Sequence, residues 1–247
     1  MTRRGERQRW LVTGASRGLG RAIAETALAA GARVACLSRN GSEPPAGHAD
    51  STLTLTGDVT DASSMADAAS RVAEAWGGID VLVNNAGLHR GGLVDKIDTE
   101  DFDAVLNTNV SGPLNAVRAC LPFFPESDAG PNGGGAIVNI GAVVGMRGFA
   151  GDVSYGASKA ALAGLTRVLA VELARRSIRV NLVVPGFVST EMTADISDKA
   201  RKQIIEDIPL RREGKPEEIA EVVWWVSQSR YMTGSTVATD GGLMCKL

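Results

Sequence analysis

Short apolar runs alternate with longer segments of helical period from one end of the chain to the other. Trp10-Leu11-Val12, residues 33–37, Leu53-Thr54-Leu55, residues 79–83, 136–140 and 178–183, and Thr236-Val237-Ala238 read as strands. Residues 21–30, 61–76, 99–123, 154–175 and 215–227 read as helices, the first of them stopping at Gly31. Strands that alternate with helices imply parallel pairing and a sheet covered on both faces. The predicted fold is therefore α/β, a doubly wound, seven-stranded parallel sheet with helices on both faces. No Pro/Ser linker, low-complexity block or repeat divides residues 1–247, so one domain is expected. Residues 126–135, with five glycines or prolines, predict a surface loop. Residues 189–212 are polar and mixed in charge, and they predict a mobile lid of short helices.

Composition narrows the function. An apolar fraction of 44% supplies a core, and a net charge of -2 argues against a nucleic-acid binder. Cys36, Cys120 and Cys245 are too scattered for a disulfide framework or a zinc site, and a reducing, cytoplasmic setting fits them. His48 and His89 have no metal-ligand partner at useful spacing, so no metal is expected. The basic N-terminus runs through a short apolar segment into a glycine-rich turn, too short for a signal peptide or a membrane span.

That turn, Thr13-Gly14-Ala15-Ser16-Arg17-Gly18-Leu19-Gly20, joins the first strand to the first helix. A helix N-terminus placed this way directs free N–H groups at a phosphate, the arrangement of a dinucleotide site. A site for NAD usually carries a carboxylate at the end of the second strand, for the ribose hydroxyl. Here the chain reads Cys36-Leu37-Ser38-Arg39-Asn40, and Arg39 and Arg17 can neutralise a 2′-phosphate. NADP(H) is the expected cofactor. Far downstream, Tyr155 and Lys159 lie four apart, on one helix face. An ammonium beside a phenol favours its ionised form, which predicts a proton donor tuned toward neutral pH.

With Asp58-Val59, Asn84-Asn85-Ala86-Gly87, Asn109 and Pro185-Gly186 in the same order, the chain resembles the short-chain dehydrogenase/reductase family over nearly its whole length. Within that family it is most similar to bacterial 3-oxoacyl-acyl-carrier-protein reductases and polyketide ketoreductases. Ile140-Gly141-Ala142-Val143-Val144-Gly145, residues 185–192, and the tail through Asp240-Gly241-Gly242 carry this likeness. The resemblance implies a Rossmann domain and reduction of a β-ketoacyl thioester, carried by an acyl carrier protein or coenzyme A, by NADPH. Gly14, Ser16, Arg17, Gly18, Leu19, Gly20 and Arg39 would hold the cofactor, with Asp58 and Val59 at the adenine. Asn85, Ala86 and Gly87 would line the ribose side, and Pro185, Gly186, Val188 and Thr190 the nicotinamide. Tyr155 would donate the proton, Lys159 would lower its pKa and hold the ribose, and Asn109 would sustain a water relay. Asn84 reads as structural.

Ala142 departs from the pattern, which places a serine there to hydrogen-bond the substrate carbonyl. A methyl group cannot donate, and losing one such donor costs on the order of 10² to 10³ in rate. Three readings stay open: an engineered knock-out, a weakly active natural variant, and a cofactor-binding protein without catalysis. Ser154 adjoins Tyr155, but helical geometry turns it elsewhere. An acidic carrier would dock on basic residues, of which Arg175, Arg176, Arg201, Lys202, Arg211 and Arg212 are candidates, Arg176 by the resemblance. The family also implies a homo-oligomer, a tetramer, paired through residues 99–123, 154–175 and the last strand. Trp224 and Trp225, being adjacent, cannot both face one core. The competing reading is a dehydrogenase for a free small ketone or alcohol. Chain length and stereochemistry would depend on Val143, Val144, Met146, Phe149, Phe187 and the lid.

Overall fold

A computed structural model describes residues 7–126, 134–194 and 196–245. The first six residues of the basic tail, and 127–133 of the expected surface loop, lie outside them. Seven strands, β1 (Arg9–Thr13), β2 (Arg33–Ser38), β3 (Thr52–Thr56), β4 (Val81–Asn84), β5 (Ala136–Ile140), β6 (Arg179–Pro185) and β7 (Thr236–Thr239), form one sheet. Its order is β3-β2-β1-β4-β5-β6-β7, and every pairing is parallel. β1, β2, β4 and β5 are buried nearly end to end, as strands covered on both faces must be.

The connecting helices are α1 (Gly18–Ala29), α2 (Ala62–Trp76), α3 (Thr99–Leu106), α4 (Gly112–Cys120), α5 (Val153–Leu173), α6 (Asp198–Asp207) and α7 (Pro216–Gln228). One core layer, with Trp10, Ile23, Val34 and Val223, lies under α1 and α7. The other, with Leu11, Leu55, Met65 and Ile137, lies under α2, α4 and α5. Trp10 is fully buried and stacks on Trp224 at 5.3 Å between ring centroids, while Trp225 faces outward. The adjacent tryptophans thus divide between core and surface.

The predicted helix over 99–123 is not continuous. α3 and α4 are joined by a π-helical turn over Asn107–Ser111, and a 3-10 turn, Leu121–Phe123, closes the segment. The lid region holds a 3-10 turn, Glu191–Thr193, and α6. Residue 195 lies outside the described residues. No helix among them is long and apolar enough to cross a membrane, and no cluster of three or more His, Cys, Asp or Glu side chains could hold a metal.

Candidate functional site

The site lies beyond the C-terminal ends of β1, β4, β5 and β6, where a parallel sheet opens its crevice. β1 ends at Thr13, and its hydroxyl accepts from the backbone N–H of both Asn85 and Ala86 at 3.1 Å. The Asn85 side-chain amide donates to the Thr13 and Gly14 carbonyls at 3.0 and 3.1 Å. Asn85 therefore ties the end of β4 to the glycine turn. Gly14 has φ +67, and a Cβ there would fall 2.8 Å from the Ala86 Cα. A Cβ on Gly20 would fall 2.2 Å from the Gly14 carbonyl oxygen. Both positions demand glycine because backbone meets backbone there.

α1 starts at Gly18 without a side-chain cap from Arg17, which leaves its first turn to meet an anion. Ser16 and Arg17 are exposed at the mouth, and Arg39 is exposed at the end of β2. Asp58 turns its carboxylate inward, accepting from the Thr60 backbone N–H at 2.9 Å and hydroxyl at 2.8 Å, while Val59 is buried against Gly112. A Cβ on Gly18 would lie 3.7 Å from Thr190, so the start of the turn Glu191–Thr193 sits over the glycine turn. Arg17 also pairs with Glu191 of that turn, at 2.6 Å and largely exposed. Pro185 ends β6, Gly186 packs on Asp240, and Val188 bridges to Gly214. The uncapped helix start, the turn that only glycine fits and the two exposed arginines suit a dinucleotide with an extra phosphate.

On the opposite wall, α5 carries Tyr155, Ser158 and Lys159. Lys159 is buried and donates to the Ile140 carbonyl at 2.8 Å, with its ammonium 5.5 Å from the Tyr155 ring centroid. Asn109 occupies the π-helical turn, a local widening common at functional sites. Its amide donates to the Leu88 carbonyl and the Ser158 hydroxyl, both at 2.9 Å, and its oxygen accepts from Leu88 N at 2.8 Å. Its side chain therefore pins the loop after β4 to α5. Gly87 completes this corner, 3.5 Å from Asn109 Oδ1 and 3.8 Å from Lys159 Nζ measured from an added Cβ.

The electrostatics differ from the sequence expectation. Burial holds Lys159 down to about 8. Burial, followed by the Asp152 charge, pushes the Tyr155 phenol above its ordinary value rather than below it. The ammonium faces a backbone carbonyl and the ring, and its charge does not outweigh desolvation. Tyr155 is thereby held as a protonated donor.

Ala142 extends from β5 with φ -164 and ψ 155, and only its backbone carbonyl is engaged, by Gly145 N at 3.0 Å. Ser154 is buried and donates to the Arg90 carbonyl at 2.8 Å. The Ser158 hydroxyl donates to the Tyr155 carbonyl at 2.7 Å. Neither hydroxyl replaces the missing one. Asn84 donates to Asn139 at 2.8 Å inside the sheet, matching its structural reading.

Several expected docking cations are already occupied. Arg201 pairs with Glu213, donates to the Thr193 carbonyl at 2.6 Å and covers the Phe187 ring. Arg212 is forked onto Glu218, Arg211 donates to the Glu206 carbonyl, and Arg176 donates to the Leu121 carbonyl at 2.6 Å. Arg175 and Lys202 remain exposed. One pair was missed in the sequence: His89, dismissed as a metal ligand, contacts Asp152 and Tyr155. Its place just after Asn85-Ala86-Gly87 was the available signal.

Comparison with known proteins gives a consistent grouping. The sequence family described as enoyl-(acyl carrier protein) reductase matches residues 14–244. A 3-oxoacyl-acyl-carrier-protein reductase of Thermotoga maritima is 43% identical over 188 residues, 75% of this chain and 74% of that protein. Its namesake in Salmonella typhimurium is 37% identical over 238 residues, 94% of this chain and 96% of that protein. Among solved structures, a blue fluorescent protein from a metagenomic library in complex with NADPH superposes with a TM-score of 0.83 at 30% identity, over 96% of this chain and 97% of that one.

Proposed function

The chain belongs to the short-chain dehydrogenase/reductase family, oxidoreductases that use NAD(P)H, and we propose that it is an NADPH-dependent reductase of β-ketoacyl thioesters borne on an acyl carrier protein or coenzyme A. The observation that carries this reading is the facing of two walls. Asn85-Ala86-Gly87 spans them, with Asn85 bonded to the glycine turn before the uncapped start of α1 and Gly87 beside Asn109 and Lys159, the partner of Tyr155. The likeness to carrier-protein reductases supplies the substrate class.

In this reading the first turn of α1, with Gly14, Ser16, Gly18, Leu19 and Gly20, holds the pyrophosphate, and Arg17 and Arg39 take the 2′-phosphate. Asp58 and Val59 border the adenine, and Asn85, Ala86, Gly87, Pro185, Gly186, Val188 and Thr190 line the remainder. When bound, the reduced nicotinamide supplies the hydride. Tyr155 gives its phenolic proton to the carbonyl oxygen as that oxygen becomes an alkoxide. Lys159, with Asn109 behind it, holds the ribose and returns a proton to the phenol. Residues 189–212 close over the acyl chain as a lid. Copies of the chain pair as a tetramer through outward residues of α5, where Val171 is 80% exposed.

Ala142 leaves the substrate oxygen with one donor where two are expected, so turnover is slow. A free small ketone is the second reading, favoured by one observation: Glu213 and Glu218 neutralise Arg201 and Arg212 of the lid region. The test is NADPH oxidation with a short β-ketoacyl thioester, for this chain and Ala142→Ser together. The serine form is expected to run about a hundredfold faster. Silence of both, with NADPH still bound, overturns the thioester reading.

A further inference from the structure

His89 has no role in the reading above, yet it sits against the proton donor. Its ring meets Tyr155 edge to face, with centroids 4.9 Å apart and planes at 86°. Its Nε2 lies 2.7 Å from Asp152 Oδ1. A carboxylate only accepts, so Nε2 carries the hydrogen and the ring orientation is fixed. Asp152 precedes Val153, the first residue of α5, three positions before Tyr155. The two loops that carry His89 and Asp152 are joined twice more, by Gly92 N to the Gly151 carbonyl at 2.7 Å and by Ser154 Oγ to the Arg90 carbonyl at 2.8 Å. The scaffold thus survives loss of the imidazole.

We infer that His89, anchored by Asp152, is a positioning residue that fixes the orientation of the Tyr155 ring. The inference rests on Tyr155 being the proton donor proposed above. With a methyl at 142 in place of a hydroxyl donor, the alignment of the phenol itself carries more of the accuracy. An edge-to-face contact favours one ring orientation, and the hydrogen bond to the Asp152 carboxylate holds the imidazole that makes it. The neighbouring charges do not compete for the imidazole. Lys159 is turned to the Ile140 carbonyl, and Arg90 is paired with Asp101 at 3.5 Å. The Asp152 charge also favours the protonated phenol, the form reduction needs.

The chain has two tyrosines, and Tyr231 is fully exposed. In a Tyr231→Phe background, 3-fluorotyrosine incorporation therefore yields one 19F resonance, from position 155. His89→Ala and Asp152→Ala are each expected to move and broaden that resonance, while Asp152→Asn, which still accepts the Nε2 hydrogen, keeps it near its original position. Where turnover is measurable, the two alanine variants lose about tenfold in kcat with KM nearly unchanged, and Asp152→Asn recovers most of it. A resonance that stays in place in both alanine variants, at unchanged melting temperature, overturns the inference. Because the resonance needs no substrate, its behaviour is independent of whether thioesters are the substrate.

Discussion

Two strand-turn-helix corners face each other across the crevice, and they are built in different ways. Where β1 turns into α1, backbone touches backbone: Gly20 abuts the Gly14 carbonyl, and Asn85 bonds two main-chain oxygens. Where β5 passes to α5, side chains make the fit: Lys159 on Ile140 O, Asn109 on Ser158, His89 on Asp152. The first corner admits no side chain at Gly14 or Gly20, because main-chain atoms stand in the way. The second tolerates changes of shape but depends on each partner. The proposed cofactor corner is thus closely packed main chain, and the proposed reacting side is fitted by side chains, where Ala142 stands without disturbing the fold.

The largest expected effect tests the rigid corner. Gly20→Ala places a methyl 2.2 Å from the Gly14 oxygen and 2.4 Å from Asn85 Nδ2, so β1, β4 and α1 must separate. Overpacking of this kind costs about 3 kcal/mol in stability. If the same displacement is felt by the cofactor, NADPH affinity falls by about a hundredfold, read by fluorescence titration. A variant that binds NADPH normally would show that this corner is as adjustable as the other.

Next is Lys159, on the adjustable side. Its folded pKa of about 8 lies below the ordinary lysine value of 10.5, so between those values the unfolded chain binds more protons and stability rises with pH. The buried charge therefore destabilises the cofactor-free protein below pH 8, and the penalty is relieved toward pH 10.5. In Lys159→Met that rise is absent. The stability advantage of the methionine form over the parent should shrink by about 3 kcal/mol across the window, measured by urea unfolding. Cys36, raised to about 11 by burial, and Tyr155 act in the opposite sense, but they are common to both proteins and cancel.

The same contrast explains what was legible in the sequence. Strand and helix positions followed from apolar runs, and the glycine turn from residue types, because both are set by local sequence: burial periodicity and the backbone freedom of glycine. The π-helical turn over Asn107–Ser111 was missed although Gly112-Pro113 follows it directly: a proline inside the 99–123 run lacks the N–H for a regular ladder and marks the break, but not that the turn there is π-helical. Spacing put Tyr155 and Lys159 on one face but could not show that burial outweighs the ammonium at the phenol. Arg201 and Arg176 looked like surface cations because Glu213 and the Leu121 carbonyl, their partners, come from other parts of the chain. His89 and Asp152 are 63 residues apart, and only the fold brings them together.

Arg39 returns to the rigid side with a smaller effect. It is exposed at the end of β2, with no acidic residue at the strand end to recruit a ribose hydroxyl. Arg39→Ala should weaken NADPH by about tenfold, the worth of one charge-assisted bond, and leave NADH within about twofold. Equal losses for both cofactors would mean that Arg39 shapes the turn rather than reads the phosphate.

The smallest effect concerns the contact that joins the two corners. Arg17 belongs to the glycine turn and Glu191 to the lid, and their 2.6 Å pair is 72% and 62% exposed. Such pairs add little to stability, but this one occupies a guanidinium that the proposed 2′-phosphate contact would also use. Glu191→Gln should therefore tighten NADPH by about twofold at low ionic strength, and the difference should vanish near 0.5 M salt as screening removes the competition. NADH, without the phosphate, should not respond. If Glu191→Gln weakens NADPH instead, the lid's first turn holds Arg17 ready for the cofactor rather than competing for it, and the lid belongs to the rigid side of the molecule.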